Sequence, residues 1–258
     1  IDLNRPPAAS NANLGTINPG GAPTTATLVS DADGDNLVVT ITQGTKGVAT
    51  YDPVTGKFTY TANASATSGT DTFTYTVYDG CDTVAGTVTV NIRALGGGGG
   101  HTLGFWSNKN GEAKINDGGS AAPELALLSG LNLRNGNGSN FDPTSYSSLK
   151  TWLLNGTATN MSYMLSVQLA AMELNVEAGF VNGSARVYAA DLLVLFPGGN
   201  AAIGLAPDGS ISIGDLIVAA NSELGLHGSA LSGNAWRVYQ TALKNALDLA
   251  NNNLNFII

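Results

Sequence analysis

Five consecutive glycines at positions 96–100 constrain this chain more than any other feature. Glycine loses more conformational freedom on folding than any other residue, so a run of five is costly inside a helix or a strand. Such a run is typical of a linker between domains. Short runs rich in threonine and valine precede it, and leucine, alanine and asparagine follow it. We predict an N-terminal domain at residues 1–95, a linker at 96–100 and a C-terminal domain at 101–258.

The composition of the chain narrows the class of protein. Only 12% of its 258 residues are charged, and the net charge of −8 argues against a nucleic-acid-binding protein, which needs a basic face. No apolar run approaches the length of a membrane span. The abundance of glycine, asparagine, threonine and serine is typical of secreted bacterial surface proteins, and the first residue is not methionine, as expected after removal of a signal peptide. We expect a secreted protein, extracellular or at the cell surface.

Residues before the glycine run alternate between apolar and polar side chains. This period of two is that of half-buried β-strands. Turn-forming residues separate the runs about every ten positions, which is typical of a β-sandwich. The alternating apolar positions include Leu37, Val39, Ile41, Phe58, Tyr60, Phe73, Tyr75, Val77, Val88, Val90 and Ile92.

The same segment resembles a known family. The motifs are Asn-Arg-Pro-Pro at 4–7, Ser-Asp-Ala-Asp-Gly-Asp-Asn-Leu at 30–37, Gly-Lys-Phe-Thr-Tyr-Thr at 56–61 and Gly-Thr-Asp-Thr-Phe-Thr-Tyr-Thr-Val at 69–77. In this order they resemble a bacterial cadherin-like, immunoglobulin-like repeat of large secreted adhesins. The resemblance implies a structural or adhesive module without catalytic activity. Such modules usually stand in tandem, and only one copy is present here.

Asp31, Asp33 and Asp35 place three carboxylates within five residues. Clusters of oxygen ligands suit Ca²⁺, which takes six to eight of them. The residues that follow lack a further acidic ligand at the spacing of an EF-hand loop, so other ligands must come from elsewhere in the fold. The alternative is an acidic turn whose carboxylates cap backbone amides. Candidates for the further ligands are Asp2, Asn4, Asp71 and Asp79.

Residues after the glycine run have helical spacing. Apolar residues from Met161 to Val176 recur every three or four positions and predict an amphipathic helix capped by Thr159 or Asn160. A second stripe from Trp236 to Leu254 predicts the last helix, with Asn234 as a possible N-cap. Residues 134–148 are rich in turn-forming residues and predict a loop. The C-terminal domain is therefore predicted to be mainly α-helical.

We find no convincing catalytic motif and predict that the protein is not an enzyme. The two histidines, His101 and His227, lie far apart and lack partners at metal-binding spacing. The segment 208–216 matches only the second half of an EF-hand loop. It predicts a turn that leads into a helix, with Asp215 near the helix N-terminus.

The C-terminal part also resembles a family. It opens with His-Thr-Leu-Gly-Phe-Trp-Ser-Asn-Lys at 101–109, and further motifs lie at 160–166, 169–176 and 247–256. Together they resemble a secreted bacterial domain that opens with a Gly-Phe-Trp signature. That family has no assigned biochemical activity, so the resemblance implies an extracellular location and no mechanism.

The leading functional hypothesis is a secreted structural protein, a subunit of a filament, surface layer or matrix. Both ends of the sequence carry apolar, strand-like residues, whereas chain ends are usually polar. A neighbouring copy that completes a sheet edge would hold such tails, and docking within the same chain is the alternative. The candidate assembly residues are Ile1, Leu3, Phe256, Ile257 and Ile258. The expected partners are copies of the same chain.

A second class of function is an adhesin or carbohydrate-binding module. It requires an exposed aromatic surface that grips surface glycans through loops such as 134–148. Phe141, Tyr146 and Trp152 are the candidates. An enzyme is the third and least favoured class.

Overall fold

The computed structural model describes residues 4–21, 23–63 and 66–257. The chain divides into two compact units, Ile1–Ala94 and Leu95–Ile258. The described residues of the first unit form only strands, and those of the second unit form mainly helices. The prediction of an all-β N-terminal part and a mainly helical C-terminal part is confirmed. Within the described ranges, no helix is both long and apolar enough to cross a bilayer.

The first unit is built from short strands joined by turns. Strand β8 shows why they form, because Asp71, Phe73, Tyr75 and Val77 are buried while the threonines between them are exposed. The strands are β1 (Ala8–Ala9), β2 (Ala12–Ile17), β3 (Thr24–Ala26), β4 (Val29–Ser30), β5 (Val38–Thr42), β6 (Gly47–Asp52), β7 (Lys57–Ala62), β8 (Gly69–Tyr78) and β9 (Thr83–Ile92).

These strands form two main sheets and a short pair. The sheet orders are β2-β9-β8-β5 and β3-β7-β6, and β1 pairs with β4. Strands β2 and β9 are parallel, and the other pairs in this unit are antiparallel. Phe58 on β7 contacts Phe73 and Tyr75 on β8, with ring centroids 6.4 and 4.6 Å apart. Side chains from the two sheets thus share one core.

The second unit packs its helices around a long central one. The helices are α1 (Leu103–Trp106), α2 (Lys109–Ile115), α3 (Ala122–Ser129), α4 (Tyr146–Leu154), α5 (Met161–Glu177), α6 (Ala190–Leu195), α7 (Ile213–Leu226) and α8 (Arg237–Asn251), with a 3₁₀ turn at Ala201–Ile203. The segment after Asp208 leads into α7 with Asp215 in the first turn, as predicted, but Ser210–Ser212 form a short strand that the prediction of a turn did not include. Residues 146–148 belong to α4, so the prediction of a loop over 134–148 is wrong at its end.

Helix α5 differs from the predicted amphipathic helix. It is buried nearly all round, including the polar residues Ser162, Ser166 and Asn175. Helices α1, α3, α7 and α8 all contact it. A helix enclosed on every side has no solvent face to keep polar. Its N-cap is Asn160, whose side chain accepts a hydrogen bond from the Ser162 N–H.

Helix α8 is the amphipathic helix that the sequence predicts, with small corrections at its ends. Its N-cap position is Trp236 and not Asn234, and it ends at Asn251. Leu254, the last member of the predicted stripe, is 61% exposed.

A buried asparagine on α5 joins three parts of the second unit. The Asn175 Oδ1 accepts hydrogen bonds from the His101 N–H at 2.9 Å and from the Trp106 indole N–H at 3.2 Å. Its amide nitrogen donates to the His101 carbonyl and to Asn251 Oδ1, both at 2.9 Å. The signature at 101–106 is therefore held against α5 through the backbone of residue 101 and the indole of Trp106, and the same amide connects it to α8 through Asn251.

A small antiparallel sheet closes the second unit. Its strands are β10 (Leu95–Gly96), β11 (Arg186–Tyr188), β12 (Ser210–Ser212) and β13 (Phe256–Ile257), in the order β10-β13-β11-β12. Phe256 is 2% exposed.

The glycine run lies within this unit and packs closely against it. The N–H groups of Gly98 and Gly100 donate to Asn253 Oδ1 at 3.1 and 2.7 Å. A Cβ on Gly98 would overlap the Phe256 ring, and a Cβ on Gly99, whose φ is +89°, would overlap the Phe180 carbonyl oxygen. The missing side chains thus permit the backbone of the run to approach Asn253, Phe256 and Phe180 closely.

We predict that Gly98→Ala lowers the stability of the second unit by about 1–3 kcal/mol, because the methyl group forces the Phe256 ring out of its position. The matched control is Gly118→Ala, since no atom lies within 4 Å of a Cβ there. Urea unfolding followed by tryptophan fluorescence measures this unit selectively, because Trp106, Trp152 and Trp236 all lie in it. Equal midpoints for the two variants would contradict the close-approach argument.

Candidate functional site

The loop after β4 gathers the three predicted metal ligands. Asp31 Oδ1 accepts hydrogen bonds from the backbone N–H of Asp33 at 2.8 Å and of Asp35 at 3.1 Å. In such a turn an aspartate side chain accepts hydrogen bonds from backbone N–H groups a few residues later and so stabilises the turn. One carboxylate oxygen from each residue lies within 4.8 Å of the others. The predicted cluster of Asp31, Asp33 and Asp35 therefore exists.

Arg5 partly neutralises this cluster. Its Nε and Nη2 lie 3.0 and 2.6 Å from Asp33 Oδ1, and its backbone N–H donates to Asp33 Oδ2 at 2.7 Å. The side-chain hydrogen bond from Arg5, together with the backbone bond, holds the pKa of Asp33 below its ordinary value. A cation that binds Asp33 must therefore compete with a guanidinium.

The other suggested ligands fall into three groups. Asp79 and Asn4 lie beside the cluster: Asn4 Nδ2 donates to Asp79 Oδ2 at 3.2 Å, and the Asp79 charge acts on the pKa of Asp33. Asp2 lies outside the described residues. Asp71 lies elsewhere, because its carboxylate accepts hydrogen bonds from the N–H groups of the turn after β5, and the suggestion that it is a ligand is wrong.

The residues present fit a hard divalent cation. Carboxylate oxygens are the ligands that Ca²⁺ prefers. Asp31 Oδ2 is buried and has no hydrogen-bond partner within the described part of the chain. Buried polar atoms are usually paired, so an unpaired carboxylate oxygen points to a missing electrophilic partner. Asp31, Asp33 and Asp35 would hold the cation, with Asp79 and Asn4 close by.

Asp71 instead stabilises the interior of the first unit. Its carboxylate is 4% exposed and accepts hydrogen bonds from the Tyr60 hydroxyl at 2.6 Å and from the N–H groups of Thr45 and Lys46. Burial acts to raise the pKa of Asp71, and these hydrogen bonds outweigh burial, so its pKa lies below the ordinary value. Burial and the neighbouring carboxylate raise the pKa of Tyr60.

The described part of the C-terminal tail docks within its own chain. Phe256 pairs with Gly96 and Val187, and Ile257 pairs with Leu95. Both edges of β13 are therefore occupied by strands of the same unit, which is the intramolecular alternative of the sequence analysis. The other candidate assembly residues, Ile1, Leu3 and Ile258, lie outside the described residues.

Both histidines have structural partners. His101 stacks on Phe105 with ring centroids 4.0 Å apart and meets the Phe180 ring edge-on at 4.4 Å. His227 Nδ1 lies 2.9 Å from Glu223 Oε1, and its ring stacks on Trp236.

A nearby serine hydroxyl does not complete a nucleophile–base pair with His227. The hydroxyl of Ser162 is paired with Gln240 Oε1 at 2.8 Å and with the His227 carbonyl at 3.1 Å, and not with the imidazole ring. The serine therefore lacks the adjacent base that would activate it.

One of the three aromatic residues proposed for glycan binding is buried in the core, and the other two are partly buried against it. Trp152 is 4% exposed and stacks on Phe141 with ring centroids 4.2 Å apart. The prediction that Trp152 forms an exposed platform is wrong, because its ring contacts Phe141 and the Tyr163 ring on α5. Tyr146 is half-buried at the start of α4, and its hydroxyl lies 2.8 Å from the Asn108 carbonyl oxygen.

The comparison with known proteins finds a family match within the first unit. Residues 4–94 match the sequence family of the bacterial cadherin-like domain, as the sequence motifs predict. This match indicates a role at the bacterial surface or in adhesion. No curated protein matches the chain. The resemblance of residues 101–258 to a Gly-Phe-Trp domain stays a prediction.

Several solved structures align with part of the chain. Two are endo-fucoidan hydrolases of glycoside hydrolase family 107, with 22% and 20% identity over 33% and 38% of this chain and TM-scores of 0.28 and 0.31. The chain spans 13% and 15% of their lengths. Titin domain M7 aligns at 19% identity over 36% of this chain and 99% of its own, with a TM-score of 0.26. Alignments at these scores carry no argument about function.

We predict that the first unit loses stability as the pH falls below about 4, because Asp71 has a lowered folded-state pKa and an unfolded pKa near 3.9. Its contribution is present above the unfolded pKa and is lost as the pH falls through the folded pKa. Asp71→Asn should cost about 1.5–3 kcal/mol at pH 7 and flatten this pH dependence. Hydrogen exchange of β7 and β8 amides in the full chain measures it, with the exposed Asp82→Asn as control. An unchanged slope in Asp71→Asn would contradict the assignment.

Proposed function

We propose that the protein is an extracellular structural protein of a bacterial surface whose copies assemble into a filament, layer or matrix. The observation that carries this proposal is the match of residues 4–94 to the bacterial cadherin-like domain. The compact strand sandwich of this unit suits a load-bearing module, since its core is shared by two sheets. The low content of charged residues is in keeping with this role.

Exchange of the C-terminal strand between copies supplies a route to assembly. Strand β13 contributes only two paired residues, yet it lies between β10 and β11 and carries the buried Phe256 ring. The same pairing can be rebuilt with β13 of a second copy, because domain swapping reuses the contacts of the monomer. Repeated exchange in one direction gives an open chain of copies. Residues 1, 3 and 258 remain candidates for the same interface.

Asn253 and Asn255 mark the hinge that such exchange needs. Asn253 has a φ of 59°, an unusual conformation for a residue other than glycine, and its side chain bonds to Gly98 and Gly100. The Asn255 Nδ2 donates to the carbonyls of Tyr188 and Ala246, both at 3.1 Å. These bonds fix where β13 leaves α8, so the hinge opens only when they break.

Calcium is the cation that best fits the acidic loop. Binding would place positive charge among Asp31, Asp33 and Asp35 and give Asp31 Oδ2 a partner. Because Arg5 holds Asp33 in the absence of a metal, calcium would release Arg5 from that carboxylate. The cation would then fasten the loop that follows β4.

We predict that calcium binds the full chain and that Asp31→Asn weakens binding by at least about tenfold, because this residue both orders the turn and supplies the unpaired oxygen. Arg5→Gln should strengthen binding, since the guanidinium no longer competes for Asp33. Isothermal titration calorimetry measures both effects, with Asp82→Asn as the matched control. Unchanged affinity in Asp31→Asn, or an equal loss in Asp82→Asn, would rule out this site.

We predict that the purified chain forms regular assemblies as its concentration rises, visible by negative-stain electron microscopy with calcium or with a chelator.

A variant with Leu95→Cys and Ile257→Cys tests strand exchange, since these residues are register partners in the β10–β13 pair. In a Cys81→Ser background, which removes the exposed thiol, exchange gives a ladder of linked copies on a non-reducing gel. The control carries Ile257→Cys alone. Dispersed monomers with only intrachain disulfides in every condition would refute assembly by this route.

A further inference from the structure

The second unit carries an open cleft that the proposed function leaves unused. It lies between α2, α3 and the segment that leads into α4, and its volume is about 930 Å³. Small-molecule sites in proteins commonly have volumes of about 300–1,000 Å³. The space is large enough for an extended ligand of several rings.

One wall of the cleft is apolar and rigid. Leu125 and Ala126 on α3 line it, together with Pro143 and the Tyr146 ring. Leu125 is 8% exposed and belongs to the core of the unit. The Tyr146 hydroxyl lies 2.8 Å from the Asn108 carbonyl oxygen and 3.2 Å from that of Trp106, so the ring is held in place before any ligand arrives. A wall that is already ordered loses little conformational entropy on binding.

A second part of the lining, here called the polar wall, offers hydrogen-bond acceptors. Glu112 on α2 and Asn116, the residue that caps the C-terminal end of α2, line the cleft together. Asn116 Nδ2 donates to the Glu112 carbonyl at 2.7 Å, which leaves its Oδ1 available to accept. The Glu112 carboxylate and the Thr144 hydroxyl have no hydrogen-bond partner among the described residues.

The charge of the cleft selects against anions. Glu112 supplies the one charged side chain among the residues that line it, and neither lysine nor arginine is part of the lining. Its charge also acts on Tyr146, whose pKa is raised by burial and by the Glu112 carboxylate. A phosphate, sulfate or uronate would therefore meet a carboxylate with no compensating cation. A strongly apolar ligand would bury the polar wall without satisfying it.

We propose that this cleft binds a neutral oligosaccharide. Such a ligand has hydroxyl groups that donate to Glu112 and Asn116, and it has C–H faces that pack on Leu125, Pro143 and the Tyr146 ring. The proposal goes beyond the structural role and is independent of it, because an unassembled chain can bind through this cleft.

The test is calorimetric titration of the full chain with neutral hexasaccharides, namely those of cellulose, chitin, mannan, amylose and laminarin. The hexamer of galacturonic acid serves as the anionic probe. We expect at least one neutral hexasaccharide to bind and galacturonic acid not to bind. Glu112→Gln and Asn116→Ala should each weaken binding by about tenfold, which corresponds to about 1.4 kcal/mol. Asn110→Ala, an exposed asparagine at the start of the same helix, is the matched control.

A second variant keeps the proposal testable if the polar substitutions act weakly. Ala126→Trp places a large ring in the cleft from the exposed side of α3 and should abolish binding without removing an existing contact. Tryptophan fluorescence and circular dichroism confirm that each variant is folded. The proposal is overturned if no neutral hexasaccharide binds at a ligand concentration of about 5 mM. Binding that survives Ala126→Trp, or that prefers the anionic probe, overturns it as well.

Discussion

The second unit depends on the buried amide of Asn175. Its oxygen accepts two hydrogen bonds and its nitrogen donates two, so all the bonds that this side chain can make in its site are present. These bonds connect the segment at 101, the indole of Trp106 and α8. In a low-dielectric interior an unpaired amide would be costly, and a fully paired one fixes a single arrangement. The position of α1, and through it the Tyr146 wall of the cleft, follows from this side chain.

The position of the glycine run depends on the same hydrogen bonds. Because Asn251 pairs with Asn175, the end of α8 is fixed, and Asn253 then presents its side chain to Gly98 and Gly100. The backbone can come this close only where side chains are absent. The run therefore stabilises the C-terminal strand by contact, and the Phe256 ring occupies the space that a Cβ at position 98 would need.

Local patterns were sufficient for strands β5, β7, β8 and β9 and for the body of α8, whereas β1, β2, β3, β4 and β6 were not predicted. The alternation of Phe73, Tyr75 and Val77 has the period of the sheet itself, and one solvent-facing side kept the pattern clear. Helix α8 likewise has one face toward solvent. Helix α5 lacks such a face, so the spacing of its apolar residues predicted amphipathicity wrongly, because polar residues between them are buried as well. The start of α4 was missed although Ser145 and Ser148 cap each other, because the surrounding turn-forming residues dominated the prediction.

Sites that combine segments distant in the sequence were harder to predict than individual strands and helices. The cluster of Asp31, Asp33 and Asp35 is local in sequence, so the pattern located it, but its bonds to Arg5 arise from folding. Asp71 was assigned to the same cluster by residue type alone, and the fold placed it under the turn after β5 instead. The polar wall of the cleft, Glu112 and Asn116, resembles any exposed helix face in the sequence. Only the packing of α2 beside α3 and Pro143 makes it a concave surface.

The two proposed ligands differ because the acidic loop contains several carboxylates close together, whereas the cleft contains one. The acidic loop concentrates carboxylates within five residues, and a cation reduces their mutual repulsion, whether the guanidinium of Arg5 or a metal ion. The cleft has a single carboxylate among amide, hydroxyl and apolar groups, so it gains little from a metal and much from a donor that carries no charge. Only 12% of the residues are charged, so a local cluster of carboxylates makes the loop electrostatically different from the cleft. The proposed cation and the proposed neutral sugar involve different residues, so the two would not compete for one site.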